Sequence, residues 1–115
     1  ALKLSQSGSQ NVAIGTQALQ NFTESFNTAV GYRAMLACTS GERNTAIGYD
    51  TMIDLQTSEN NTALGWNALK LVTGGDNTAI GSGAGDATTS GTRNVYVGID
   101  AGVQELKTLQ LVGKL

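Results

Sequence analysis

Side chains with reactive chemistry are few and scattered in this sequence. Its 115 residues include no His and one Cys, Cys38, which excludes an imidazole base, a thiolate zinc cluster and an intramolecular disulfide. The aspartates follow no calcium-loop pattern, and we interpret them as surface turn residues: Asp50, Asp54, Asp76, Asp86 and Asp100. We therefore expect no enzymatic activity, no metal site and no cofactor.

Three aromatic residues recur at a regular spacing and form the sharpest candidate site. Tyr32, Tyr49 and Trp66 each follow a glycine, at positions 17 residues apart. Stacked on one outer corner, they would make a binding stripe for sugar rings or for a host surface. The alternative is that they stack on one another and only shield the edge of the fold.

Composition excludes several partners. The net charge is −2, and the seven Lys and Arg are scattered singly, so there is no basic patch for nucleic acid. The apolar runs are far shorter than the ~18 residues that span a bilayer, which argues against membrane insertion. No segment has the pattern of a signal peptide, so any export signal would have to lie outside this sequence.

An internal repeat of 16 or 17 residues organises the chain. Six five-residue segments of the form Asn-Thr-Ala-Ile-Gly align without gaps, and their asparagines are spaced 16, 17, 17, 16 and 17 positions apart. Residues 1–4 copy residues 68–71, so we expect about seven coils in a rod that continues beyond the first residue. This period is too short for a strand plus a full helix and predicts a parallel β-solenoid over 1–103.

Each five-residue segment reads as a short strand with two different faces. One face carries the aliphatic ladder of Ile14, Val30, Ile47, Leu64, Ile80 and Val97. The opposite face carries Ala and Gly, and either fills a very thin coil interior or lets another backbone approach closely. We favour the second, with contacts between identical chains made by Ala13, Ala29, Ala46, Ala63 and Ala79.

A second element follows each glycine by three residues. Its apolar residues fit either a short bulged strand or a single helical turn. Stacking would align two further ladders, one of Leu19, Met35, Met52 and Leu69 and one of Phe22, Cys38, Leu55 and Val72. We therefore interpret Cys38 as a small packed hydrophobe.

Two polar rows repeat with the strands. The first, which we expect to hydrogen-bond along the rod, consists of Asn11, Asn27, Asn44, Asn61, Asn77 and Asn94. The second consists of Thr28, Thr45, Thr62 and Thr78, an array of the kind that ice-binding solenoids display on a flat face. Because these threonines share a face with the aliphatic ladder, we expect them to point inward.

The repeat Asn-Thr-Ala-Ile-Gly-x-x-Ala-Leu resembles the head repeats of YadA-type trimeric autotransporter adhesins, whose core motif is Ser-Val-Ala-Ile-Gly, and equally the repeats of phage tail fibres. Residues 11–15 are the nearest match, with Asn in place of Ser. The resemblance implies a left-handed parallel β-roll, with three chains side by side in a surface fibre that binds a host. It also implies that the Val/Thr and Ile positions face the coil interior and the Ala/Gly positions face the neighbouring chains.

Two functional hypotheses follow. The first is a structural and adhesive segment of a homotrimeric fibre, located on a virion tail fibre, at the cell surface or otherwise outside the cell, with a host glycan or protein as partner. The second is a monomeric solenoid that binds ice or glycans. Residues 104–115 leave the repeat, and we expect them to form a cap or a connector to the next segment.

Overall fold

In a computed structural model of the chain, which describes residues 8–103, the protein is an all-β solenoid of about five turns. Each turn contributes one three-residue strand. The strands are β1 Val12–Ile14, β2 Thr28–Val30, β3 Thr45–Ile47, β4 Thr62–Leu64, β5 Thr78–Ile80 and β6 Val95–Val97. They form a single sheet in sequence order, and every pair of neighbours is parallel.

The register confirms the alignment read from the repeat. Thr28 pairs with Thr45, Ala29 with Ala46 and Val30 with Ile47, and the same pairing continues along the sheet. Equivalent residues of successive coils therefore form straight columns parallel to the axis of the rod. Successive residues within one column are about 4.8 Å apart, which is the usual distance between hydrogen-bonded strands.

The interior of the solenoid is filled by the two ladders of the second element. Leu19, Met35, Met52 and Leu69 are fully buried, and Phe22, Cys38, Leu55 and Val72 are at most 1% exposed. These columns pack against the central alanines of the strands in one continuous hydrophobic core. A single coil contributes too few of these side chains to fold alone, so the stacking of coils creates the core.

The orientation of the strands is opposite to the one expected. Ala29, Ala46, Ala63 and Ala79 are completely buried inside their own coil, and Ala13 packs against the same core. The prediction that these alanines contact neighbouring chains is therefore wrong. Only a methyl group fits there, because the long side chains of the second element already occupy the narrow interior.

The flanking strand positions point outward. The prediction that the aliphatic ladder and the threonine row face the interior is wrong, because both lie on the outer face of the sheet. Ile14 is 60% exposed, and Leu64 is 45% exposed. The remaining members of the ladder are half-buried or exposed: Val30, Ile47, Ile80 and Val97.

The second element is neither a strand nor a helical turn within residues 8–103. It is a run of tight turns, in which Ala34 and Leu36 donate backbone hydrogen bonds to Gly31 and Arg33 three residues earlier. The intervening residues have positive φ, 54° at Arg33 and 52° at Met35, and their N–H groups donate to neighbouring coils instead. Local and inter-coil hydrogen bonds thus alternate along the segment and satisfy its buried backbone.

The glycine that ends each strand is required by the stacking. Gly48 has φ of 140°, and a Cβ placed on it would lie 2.8 Å from the carbonyl carbon of Gly65 in the next coil. The same close approach recurs from Gly15 to Gly81. The backbone that approaches these glycines is therefore the next coil of the same chain.

The core composition changes in the last two coils. Tyr96 replaces the central alanine of the strand, while Gly85 and Gly102 replace the Leu or Met of the second element. The tyrosine ring occupies the space released by these glycines, because a Cβ on Gly85 would lie 2.7 Å from Cδ2 of Tyr96 and one on Gly102 would meet the same ring. One large side chain from the strand thus substitutes for two from the second element.

Two expectations concern parts of the chain outside the described residues. The predicted cap or connector at 104–115 lies there, as does the first of the seven predicted coils. Within residues 8–103, no helix is long and apolar enough to cross a bilayer.

Candidate binding surfaces

The asparagine row forms an internal hydrogen-bonded ladder, which we call the Asn ladder. Asn27, Asn44, Asn61 and Asn77 are fully buried, with Asn11 and Asn94 at its partly buried ends. The Oδ1 atom of Asn27 accepts the backbone N–H of Asn44 at 3.0 Å and its side-chain amide at 3.3 Å. The prediction of hydrogen bonding along the rod is confirmed, and the buried row has no surface for a ligand.

Each ladder amide also fixes a loop. The Nδ2 atom of Asn44 donates to the carbonyl oxygen of Ser58 at 2.9 Å, and those of Asn27 and Asn77 donate to Gly41 and Gly91 at 2.8 Å. The side chain therefore joins the strand of one coil to the loop that precedes the next strand. Removal of one amide would leave several buried polar groups without partners.

We expect Asn44→Ala to lower the free energy of unfolding by about 2–4 kcal/mol. The substitution leaves the backbone N–H of Asn61 and the carbonyl of Ser58 without their hydrogen-bond partner. Chemical denaturation followed by circular dichroism measures this loss. Asn21→Ala is the matched control, since Asn21 is exposed and makes one long bond of 3.4 Å; it should change stability by less than about 0.5 kcal/mol. Equal losses in the two variants would contradict a structural role of the ladder.

The variant Asn44→Asp should in addition make stability depend on pH. An ionised carboxylate at this site would face the carbonyl of Ser58, which can only accept a hydrogen bond. The hydrogen bonds donated by Asn61 would favour the ionised form, but we expect burial and the facing Ser58 carbonyl to outweigh them and raise the folded-state pKa of the new carboxyl above its value in the unfolded chain. The variant should be most stable below the unfolded-state pKa of about 4 and lose stability as pH rises through the folded-state value.

Cys38 lies in the core as expected. Its side chain is fully buried, and burial raises the pKa of the thiol to about 11. It is therefore almost entirely protonated at neutral pH and inaccessible from outside the coil. This placement excludes a bridge to another chain while the coil remains closed.

The outer face of the sheet carries aliphatic side chains and threonines, and we call it the exposed sheet face. It consists of two adjacent columns, Val12, Thr28, Thr45, Thr62, Thr78 and Val95, and Ile14, Val30, Ile47, Leu64, Ile80 and Val97. Neither column contains a charged residue. Monomeric proteins rarely expose a large contiguous patch with so many aliphatic side chains, so this face is suited to burial against another surface.

The first two residues of the predicted aromatic stripe form a stacked pair. The ring centroids of Tyr32 and Tyr49 are 5.1 Å apart, with 25° between the ring planes. The Arg33 guanidinium lies 5.1 Å from the centroid of Tyr32 and forms two hydrogen bonds with the carboxylate of Asp50, at 2.8 and 2.5 Å. This bonding raises the pKa of Arg33 and keeps the cation beside the two rings.

The stacking limits what the tyrosine pair can bind. Because the two rings face each other, no sugar ring fits between them. Tyr32 and Tyr49 are 40% and 47% exposed, so their remaining surface is still open to solvent. The geometry agrees with the alternative interpretation of the pair, in which the rings shield an edge of the coil.

Trp66 differs from the tyrosine pair. It is 56% exposed, and the next residue along its column is Ser82, followed by Ile99. The stack of large side chains is therefore interrupted for one coil on the C-terminal side of Trp66. In the neighbouring column, Gly83 has no side chain, and the carboxylate of Asp100 occupies the space that its Cβ would fill.

The geometry adds three polar residues that the sequence analysis did not propose for a binding site: Asn67, Ser82 and Asp100, of which Asp100 was interpreted only as a surface turn residue. Within residues 8–103, Asn67 Oδ1 is the buried side-chain oxygen that has no hydrogen-bond partner. The signal that could have revealed this region is the serine that breaks the aromatic column. In the same range, no three His, Cys, Asp or Glu side chains come together in a group that could hold a metal ion.

Comparison of the sequence and the structure with protein families, with curated proteins and with solved structures finds no match.

Proposed function

We propose that this chain is a structural and adhesive segment of a homotrimeric fibre, a phage tail fibre or a bacterial surface adhesin. The observation that carries the proposal is the uncharged exposed sheet face. The resemblance of the repeat to YadA-type head repeats and tail-fibre repeats adds the number of chains, the left-handed coil and the extracellular or virion location. About seven coils of this kind would form one section of a longer rod.

The exposed sheet face provides the surface for association. Its two columns run along six strands, over about 24 Å at the usual strand spacing. The exposed members include Val12, Ile14 and Val95, with 46%, 60% and 49% of their surface accessible. Burial of such residues contributes about 25 cal/mol per Å² of apolar area, which favours contact between copies over contact with water.

The chains would associate through the aliphatic ladder and the threonines. The central alanines are already buried in the coil and support the sheet from behind. Because every coil repeats the same two outward positions, three copies related by an axis parallel to the rod could make the same contact at every level. The threonine hydroxyls would lie at this interface and need hydrogen-bond partners there or bound water.

We expect the chain to sediment as a stable trimer and Thr62→Glu to convert it to a folded monomer, because the substitution places a charge in the middle of the interface. Sedimentation velocity gives the mass, and circular dichroism shows whether the coil is intact. Thr57→Glu introduces the same charge at an exposed loop position and should leave the trimer unchanged. A wild-type chain that is monomeric at micromolar concentration would overturn the proposal.

The outward direction of the threonines favours ice binding as a second candidate. Thr28, Thr45, Thr62 and Thr78 form a straight row beside the aliphatic ladder, so hydroxyl and methyl groups repeat at one strand spacing on a regular surface. This function requires a monomer with a free sheet face. Thermal hysteresis of the wild-type chain that is lost in Thr62→Glu would support ice binding, and a stable trimer without hysteresis would exclude it.

A further inference from the structure

We infer that the chain binds a neutral carbohydrate in the notch formed by Trp66, Asn67, Ser82 and Asp100, which we call the Trp66 notch. The inference deepens the proposed adhesive function and rests on it, since it names the chemical class of the receptor. It differs from the predicted stripe because it assigns binding to the C-terminal side of Trp66 and a structural role to the tyrosine pair.

The first argument is the size of the gap. Backbone hydrogen bonds of 2.8 Å from Gly83 to Trp66 and 2.9 Å from Asp100 to Ser82 fix the three coils in register. Trp66 and Ile99 occupy the same column two coils apart, or about 9.6 Å, with only the small side chain of Ser82 between them. One ring in van der Waals contact on both sides requires about 8 Å, so this backbone spacing is sufficient for one pyranose ring between side chains that extend in parallel.

The second argument is the chemistry of the polar groups beside the gap. Asn67 is 8% exposed, and its buried Oδ1 has no hydrogen-bond partner among the described residues, so it has an unused acceptor for a ligand hydroxyl that enters beside it. The carboxylate of Asp100 lies over Gly83, and the hydroxyl of Ser82 is exposed. These oxygens accept hydrogen bonds, as the hydroxyl groups of a sugar require.

Together these features favour a neutral sugar over other ligands. The C–H groups of a pyranose pack on an indole ring, while its hydroxyl groups donate to the amide and carboxylate oxygens. An acidic sugar would be repelled by Asp100 and by the net charge of −2. A primary amine could also satisfy the carboxylate and the indole, so the experiment must separate the two.

Trp66 is the single tryptophan of the chain and reports directly on this site. We expect its fluorescence to shift saturably when the intact chain is titrated with the methyl glycosides of glucose, galactose or N-acetylglucosamine. Glucuronic acid should cause no saturable shift at the same concentrations. Absence of a shift with all three neutral glycosides, or a stronger response to N-acetyl-lysine amide, would overturn the inference.

Variants locate the ligand. Ser82→Tyr fills the gap and should weaken binding of the best glycoside about tenfold or more. The matched control Tyr32→Ala removes an exposed aromatic residue two coils away from Trp66 and should change the affinity less than about twofold. Equal weakening in both variants would overturn the assignment to the notch.

Sedimentation of the same samples keeps the two proposals separate. A trimer that gives no saturable shift overturns only the carbohydrate site. A monomer that binds the glycoside at Trp66 supports the site and overturns the trimeric fibre, because the second hypothesis from the sequence, a monomeric glycan-binding solenoid, would then hold. Circular dichroism confirms that each variant retains the fold before its binding is compared.

Discussion

Replacement of Gly48 by alanine should destabilise the solenoid by more than about 3 kcal/mol and leave little folded protein at 37 °C. Two effects combine. The φ of 140° strains any residue with a Cβ, and the new methyl group would meet the backbone of Gly65 and lie 2.7 Å from Oγ1 of Thr51. The contact with Gly65 cannot relax without separating two coils, because Gly65 belongs to the backbone of the stacked coil. The contact with Thr51 can relax only if its side chain gives up the hydrogen bond that it donates to the Gly65 carbonyl.

Gly98→Ala separates the two effects. Gly98 has a similar φ of 125°, but within the described residues the nearest atom to a new Cβ is that of Ala101, at 4.0 Å. This control should lose only the conformational term of about 1–3 kcal/mol. Urea denaturation of both variants measures the difference, and an equal loss would show that close stacking of the glycines contributes nothing.

The second large effect on stability is expected where the Tyr96 ring fills the core space beside Gly85 and Gly102. We expect Tyr96→Ala to lower stability by about 2–4 kcal/mol, because it opens a cavity beside two glycines. Gly85→Leu in the wild-type background should also destabilise, since its Cβ would lie 2.7 Å from the tyrosine ring. Combined, the two substitutions restore the Ala and Leu of the earlier coils and should be more stable than either single variant.

A double-mutant cycle with thermal denaturation tests this expectation. The backbone already permits the leucine, because Leu69 has φ of 49° and Gly85 has φ of 64° at the same position of the repeat. The new Cβ would also approach Cδ2 of Leu69, but that is the end of a flexible side chain. Additive losses in the cycle would contradict the exchange of volume between strand and turn segment.

The sequence was sufficient to predict the stacking, but not the direction in which the strands face. A fixed period requires equivalent residues to align, and the pairing of Thr28 with Thr45 follows from this alone. A three-residue strand alternates between two faces, and its pattern does not say which face is inside. Hydrophobicity alone predicts that the larger apolar side chains of the strand lie inside, yet Met35 and its equivalents already fill the interior volume.

The second element was mispredicted because its backbone is unusual for its residue types. Leu19, Met35 and Met52 have φ between 44° and 52°, a region that leucine and methionine rarely adopt. Apolar spacing alone could not distinguish this conformation from a strand or a helical turn. The two glycines at 85 and 102 are the visible clue, since glycine adopts positive φ without strain.

The candidate surfaces were predictable to different degrees. The column of Tyr32, Tyr49 and Trp66 follows from the period, whereas the stacking of the two tyrosines on each other depends on side-chain conformations that spacing does not specify. The notch beside Trp66 depends on two small residues, Ser82 and Gly83, and on the carboxylate of Asp100 from the following coil. Because 15 of the 115 residues are glycine, one more small residue in a column does not by itself indicate a binding site.

The inter-coil hydrogen bonds also determine how the rod responds to tension. Among residues 8–103, strands β1 to β6 pair with their sequence neighbours alone, so we expect a pull on the two ends to open one terminal coil at a time. Each opened coil releases 16 or 17 residues, or about 55 Å of extended chain. A segment of this kind would lengthen in equal steps under load and absorb mechanical work, while the coils that remain stacked keep their structure.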